Sequence, residues 1–273
     1  MKASTAIGIG AALAGLLVGT LMEGSSVGAF INPAAILIVF GGTFGATLAS
    51  TSMESIKRIP KLYRRAMSAE RQDLAGRVTL LVSLAERARR EGLLALEGSV
   101  ADLDDEFTRK GLQLVVDGTE PEVILQVLEN EIDGASGRAN ADRAVFEKAG
   151  GFAPTMGIIG TVLGLVHVLE NLDAPATLGP AISGAFIATL YGVASANVVF
   201  LPVAAKLHHL ADSETALREL TIEGLLAIQA GDNPRVVADK LQAFVPPEER
   251  EPAAVPDPAT RPAAKAEPAR AAA

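Results

Sequence analysis

The sequence predicts an all-α integral membrane protein with four transmembrane helices, a helical cytoplasmic insert between helices 2 and 3, and a disordered C-terminal tail. Three observations lead there. Hydrophobic residues, glycine not counted, make up 49% of the 273, and a further 26 are glycine, together above the share a soluble domain carries. They gather in four stretches, Ala3 to Met22, Pro33 to Met53, Gly150 to Leu169 and Leu178 to Ala205, that contain no Asp, Glu, Lys or Arg. Each reaches the roughly 20 residues that cross a hydrocarbon core as a helix. Between the second and third stretches, the charged residues 54–148 carry the period of amphipathic helices.

Residues 1–53 form the first hairpin. Lys2 ahead of an apolar run also fits a secretory signal, but the run is long and glycine-rich, and a second span follows after a short loop. Lys57, Arg58, Lys61, Arg64 and Arg65 follow the second span and Lys206 follows the fourth, whereas the connectors Glu23 to Asn32 and Glu170 to Thr177 carry acids without bases. The positive-inside rule therefore places both termini in the cytoplasm. A basic cluster against a span, in a chain of net charge −8, reports topology rather than a nucleic-acid partner.

In the insert, residues 54–148, Leu74, Val78, Leu81 and Ala85 line one helix face, and Gly92 ends that helix. A second helix is expected from about Leu93 to Val116, closed by Asp117-Gly118. Thr119 with Glu122 reads as a capping box, with Pro121 in the first turn, opening a third helix through Val123, Val127, Leu128 and Ile132. Gly134-Ala-Ser-Gly137 is expected to interrupt it before the second hairpin, residues 149–205. Residues 206–245 continue the fourth span as a cytoplasmic helix, although Gly224 falls on its apolar face. Residues 246–273 are mostly Pro, Ala, Glu and Arg, too polar to offset ordering entropy, and read as disordered.

The third span, FAPTMGIIGTVLGLVHVL, carries glycines that would weaken a helix in water. In a membrane, small residues let helices approach closely. Ala153, Gly157, Gly160, Thr161 and Gly164 form such a stripe, with one hydroxyl at its centre; Gly184, Ala188, Thr189, Gly192, Ser195 and Ala196 form another in the fourth span. Ala11, Gly15 and Gly19, and Gly41, Gly45 and Ala49, repeat the pattern in the first two spans. The plain reading of Thr161 and Thr189 is back-bonding to their own helices. Against it stands an absence: no span holds a carboxylate or amine of the kind that pumps use to relay ions. If the chain conducts ions, a partner helix supplies that group, against threonine hydroxyls and the carbonyls freed near Pro154 and Pro202. His167, near the outer end of the third span and beside Glu170, could relay protons, but an interfacial imidazole there reads first as solvated. The chain has no Cys, its three histidines fit no metal-ligand spacing, and no carboxylate pair lies in a span, so no enzyme, metal or cofactor is expected.

The third and fourth spans, FAPTMGIIGTVLGLVHVLENLDAPATLGPAISGAFIATLYGVASANVVFLPVA, together with RREGLLALE in the insert, resemble the MotA/PomA family of flagellar motor stator subunits over residues 1 to about 245. The resemblance implies a multi-pass protein of the bacterial inner membrane that couples ion flow to torque. It further implies a homo-oligomer, five copies around two copies of a single-span, peptidoglycan-anchored MotB-type partner that brings an aspartate into the pore. Pro154 and Pro202 match the family's functional prolines, and Thr161 and Thr189 its polar residues near the ion path. Arg89 and Glu97 match its contacts to the rotor protein FliG, with Arg90 and Glu91 beside them. The sodium type carries two adjacent threonines in the fourth span and an aspartate at the outer mouth; here stand Ala188-Thr189 and Asn32. Protons are therefore the expected ion, with sodium as the alternative. The TolQ/ExbB cousins, proton channels that energise outer-membrane processes, are the alternative function, disfavoured because they have three spans.

Overall fold

The structure, a computed structural model, describes residues 4–24, 27–68, 72–173 and 175–250, and the secondary structure among them is helical. Lys2 and most of the tail lie outside the described residues. Helix α1 runs over Ser4–Met22, and its side chains are nearly all exposed, as a lipid-facing helix requires. After a 3₁₀ turn at Val27–Phe30, α2 covers Pro33–Ser50, followed by α3 at Met53–Ser68 and α4 at Leu74–Glu91. A 3₁₀ turn at Leu93–Leu96 leads into α5, Glu97–Ala101, and α6, Glu106–Val116. Two long helices dominate, α7 at Pro121–Glu170 and α8 at Pro175–Gln229, before the short α9 at Pro234–Gln242. Helices α1, α2, α7 and α8 are each long and apolar enough to cross a membrane.

At 50 residues, α7 is about 75 Å long, far beyond a hydrocarbon core of about 30 Å. Its apolar C-terminal part spans and its polar N-terminal part projects into water. The expected interruption at Gly134 to Gly137 does not occur. Two glycines cost a helix about 1 kcal/mol each, and the burial of Ile132 on one side and Val145 and Phe146 on the other offsets that cost, so the helix continues through them. The capping box also fails: Glu120 is the N-cap, without a side-chain bond, and Pro121 takes the first helical position, where its missing N–H costs nothing. Likewise, the single helix expected from Leu93 to Val116 is broken. Asp105 accepts from the Thr108 N–H at 3.2 Å and starts α6 afresh, and Arg77 pairs with the same carboxylate at 2.7 Å. Burial would raise the Asp105 pKa, but hydrogen bonds from Thr108 and Arg77 outweigh it and hold the carboxyl below its usual range.

Two cores organise the chain outside the spans. The larger joins α4, α6, the start of α7, the end of α8 and α9 through Leu81, Leu112, Ile124, Leu128, Leu225 and Leu241. Two separate pieces of sequence, one on each side of the third and fourth spans, thus build one core outside the spans. Gly224 belongs to this fit, since a Cβ there would meet Leu81 at 2.7 Å. The smaller core lies where the helices leave the spans, and packs Leu62 and Ala66 of α3 against Val145, Phe146, Val203 and Leu207. Arg58 reaches Asp142 on α7 at 2.7 Å and Arg65 reaches Glu214 on α8 at 2.6 Å, so α3 is tied to both long helices. Asp142 is buried, and desolvation raises its pKa; the charges of Arg58 and Arg65 oppose that rise and Glu54 adds to it.

Candidate functional site

The membrane parts of α7 and α8 cross through the small residues that the sequence singled out. A Cβ on Gly157 would lie 2.9 Å from the Ala188 carbonyl oxygen, and one on Gly192 would lie 2.4 Å from that of Ala153. Gly160 and Gly164 meet Ala188 and Ala185 in the same way. The backbones touch, and only glycine fits. By contrast, Gly15, Gly19 and Gly45 have nothing within 4 Å, so the stripes on α1 and α2 pack against nothing within this chain.

The close crossing brings Thr161 and Thr189 together. Their hydroxyl oxygens lie 2.5 Å apart, and the Thr161 hydroxyl is also 3.1 Å from the Gly157 carbonyl and 2.9 Å from the Ala185 carbonyl. A hydroxyl has one proton to give. Thr161 therefore donates to one carbonyl at a time and can accept from Thr189. Back-bonding is present at Thr161, as the plain reading expects, but not at Thr189, and the Thr161 oxygen bridges two helices. Both side chains are half-buried. Toward the turn between α7 and α8, this crossing opens into a groove of about 290 Å³ between α2, α7 and α8, lined by Gly160, Gly164, Gly184 and Ala188 and reaching Asn32 and His167. His167 is exposed, and its carbonyl accepts from Asn171 at 2.8 Å.

Pro154 sits inside α7 and deprives the Gly150 carbonyl of its donor; Pro202 does the same to Val198. Residues Ser195–Phe200, which end two positions before Pro202, form a π turn, a local widening of the helix that is frequent at functional sites. A second π turn, Leu37–Gly41, precedes the contact of Gly42 with Met156.

The sequence reading missed the latch at the start of α2. Asn32 caps α2 by accepting from the Ala35 N–H at 3.1 Å, and its amide lies where a Cβ on Gly184 would be, 2.5 Å away. Tyr191 donates to the Phe30 carbonyl and lies 3.4 Å from the Asn32 N–H. Asn-Pro at residues 32 and 33 was the available signal, an N-cap followed by proline at the first helical position.

Two family models match this chain: the motility protein A N-terminal family over residues 6–92 and the MotA/TolQ/ExbB proton channel family over residues 99–220. Motility protein A of Bacillus subtilis is 39% identical over 251 residues, 92% of this chain and 93% of that protein. The chain belongs to the motility protein A family. Chemotaxis protein PomA of Vibrio alginolyticus is 36% identical over 82% of this chain and 88% of its own length. The flagellar MotAB stator complex from Bacillus subtilis contains a chain that superposes with a TM-score of 0.84 at 38% identity, over 90% of this chain and 97% of that one. A chain of C. jejuni MotAB superposes at 0.86 with 29% identity, over 91% and 97%. The helical fold described above is thus shared with chains of these two MotAB structures.

The charged candidates lie apart from the threonine pair, at the turn from α4 to α5. Arg89 and Arg90 occupy the last turn of α4, Gly92 turns the chain with a φ of +86°, and Glu97 opens α5. All are exposed. Bases at a helix C-terminus and an acid at an N-terminus suit the helix dipoles. Glu91 is held by Arg87 at 3.3 Å, whereas Arg89, Arg90 and Glu97 form no ion pair among the described residues. Leu94 lies between them at 74% exposure, an apolar member of the patch that sequence reasoning did not pick.

Proposed function

We propose that this chain is the channel-forming stator subunit of a bacterial flagellar motor, passing protons across the inner membrane and converting their flow into torque. The observation that carries the reading is the Thr161–Thr189 hydroxyl pair at a backbone-tight crossing, in a chain whose spans hold no carboxylate or amine. The pair offers oxygens to a passing proton or ion but no site that stores charge. The aspartate of a MotB-type, peptidoglycan-anchored partner fills that role, with five copies of this chain around two of the partner. Both termini lie in the cytoplasm. Pro154 and Pro202 flank the inner end of the path, where the freed Gly150 and Val198 carbonyls add acceptors. One charge moved through 100 mV releases about 2.3 kcal/mol, so torque needs many small steps.

Protons rather than sodium follow from two features. Asn32 is uncharged and occupied in capping α2, and Ala188 replaces one hydroxyl beside Thr189. Arg89 and Glu97, with Arg90, Glu91 and Leu94 beside them, form the face that meets the rotor protein FliG. The role is that of a channel and motor component rather than an enzyme. In proteoliposomes, this chain alone should pass no protons and the chain with its partner should; Pro154→Ala controls for leak through a mispacked bundle. Equal flux without the partner overturns the reading. Swimming speed that tracks external sodium at constant pH and membrane potential overturns the choice of ion.

A further inference from the structure

At the cytoplasmic ends of the spans, α2, α7, α8 and the apolar face of α3 enclose a cavity of about 250 Å³, separate from the threonine crossing. Phe40, Phe44, Phe146 and Phe200 form its walls, with Ile56 and Ile59 of α3. Phe40 and Phe44 are 40% and 56% exposed, so the cavity opens on the outer surface of the helix bundle.

Two polar atoms enter this apolar space. Thr43 and Thr47 are 3% and 4% exposed, line the cavity, and have hydroxyls without a hydrogen-bond partner. Elsewhere in the spans Thr20, Thr155, Thr161 and Ser195 all donate back to their own helices, the usual habit of such residues. One turn apart, about 6 Å, Thr43 and Thr47 present two buried donors in need of acceptors. Water suits the site poorly, since each water needs two to four polar partners and the remaining walls are apolar. A fitting ligand has a long apolar body and acceptor oxygens at the depth where α2 ends.

Just beyond that end lies α3. Arg58 and Arg65 are committed to Asp142 and Glu214. Lys57, Lys61 and Arg64 are exposed, lie on one helical stripe, and form no ion pair among the described residues. Positive charge in this position attracts anionic headgroups.

We propose that an anionic glycerophospholipid of the cytoplasmic leaflet occupies this site. One acyl chain lies among the phenylalanines, the ester carbonyls accept from Thr43 and Thr47, and the phosphate lies beside Lys57, Lys61 and Arg64. The leaflet follows from the orientation proposed above; the site itself does not depend on the ion path.

Photo-crosslinking tests it. Membranes containing the full-length chain with its partner are given phosphatidylglycerol or phosphatidylcholine carrying a diazirine in the acyl chain, and labelled peptides are mapped by mass spectrometry. Residues around Phe44 and Phe200 should label roughly tenfold more with phosphatidylglycerol, two or three basic contacts being enough for that ratio. Leu17 on exposed α1 should label equally with both. Lys57→Gln with Lys61→Gln should cut the preference to the small part that Arg64 alone supports, with Arg58, Arg64 and Arg65 left to hold the topology. Thr43→Val with Thr47→Val should weaken labelling by both lipids, and it decides the matter if the lysine variant inserts in the wrong orientation. Equal labelling by the two lipids at Phe44 overturns the proposal. So does an absence of label in the cavity, as when a second copy of the chain covers it.

Discussion

Gly192→Ala is the sharpest probe of the α7–α8 crossing. The added methyl would lie 2.4 Å from the Ala153 carbonyl oxygen and 3.1 Å from the Gly157 Cα, both backbone atoms that cannot swing aside. Ordinary contact needs about 3.5 Å, so the helices must part by about 1 Å. The Thr161–Thr189 separation then grows from 2.5 Å to about 3.5 Å, the limit of a hydrogen bond. Overpacking of this kind costs about 1–3 kcal/mol, and an interhelical hydrogen bond in a membrane adds about 0.6. Gly45→Ala is the matched control, because nothing lies within 4 Å of Gly45. An SDS titration of the detergent-solubilised protein, followed by circular dichroism, should show Gly192→Ala about 2–3 kcal/mol less stable and Gly45→Ala unchanged. Proton flux with the partner should fall in the first variant only. If the two variants unfold together and conduct alike, the helices do not touch at Gly192 and the hydroxyl pair is not set by that contact.

Thr161→Val should lower proton flux at least about tenfold, the effect of one hydrogen bond's worth of barrier, while Thr161→Ser keeps most of it; matching flux in the two would remove the hydroxyl from the path. Arg89→Glu should impair swimming more than Arg89→Ala, because repulsion is added to a lost attraction. Glu97→Lys should also impair it, with protein levels unchanged by immunoblot; normal swimming in both charge reversals would leave the patch a solvated face. Arg58→Ala should destabilise the juxtamembrane core by about 1–3 kcal/mol, discounted from a fully buried pair because Arg58 is partly exposed. The loss should grow with pH. The folded pKa of Asp142 is raised, so its favourable contribution is complete below the unfolded value and disappears as pH rises through the folded one. Unfolding titrations across that window should diverge from wild type as pH rises, and a parallel offset at every pH would refute the assignment.

Much of this architecture is legible in the sequence because charge is expensive in hydrocarbon. The uncharged stretches mark the spans, and the stripe from Ala153 to Gly164 marks the face on which α8 lies. Other features depend on partners distant in sequence. Gly224 reads as a flaw until Leu81 is seen to fill its place, and Gly134 and Gly137 read as a break until the burial on either side is known. Asp105 capping α6 is a contest between neighbouring acids that local rules do not decide. That Thr161 meets Thr189 was legible as two small stripes, but not the bond between them; the free hydroxyls of Thr43 and Thr47 carry no sequence signal at all.

If the proposed function holds, the unbroken course of α7 would turn a chemical event into a mechanical one. Some thirty residues of this helix precede Pro154, a rod of about 45 Å. Tilting its buried end by about 5° would sweep the far end through about 4 Å, nearly the distance between neighbouring turns of helix. With the adjoining helices packed along it in one core, the rod would carry its load rather than bend. A jointed helix at Gly134 would have absorbed the same tilt as slack, and a stroke begun at a pair of hydroxyls would have died before reaching the rotor.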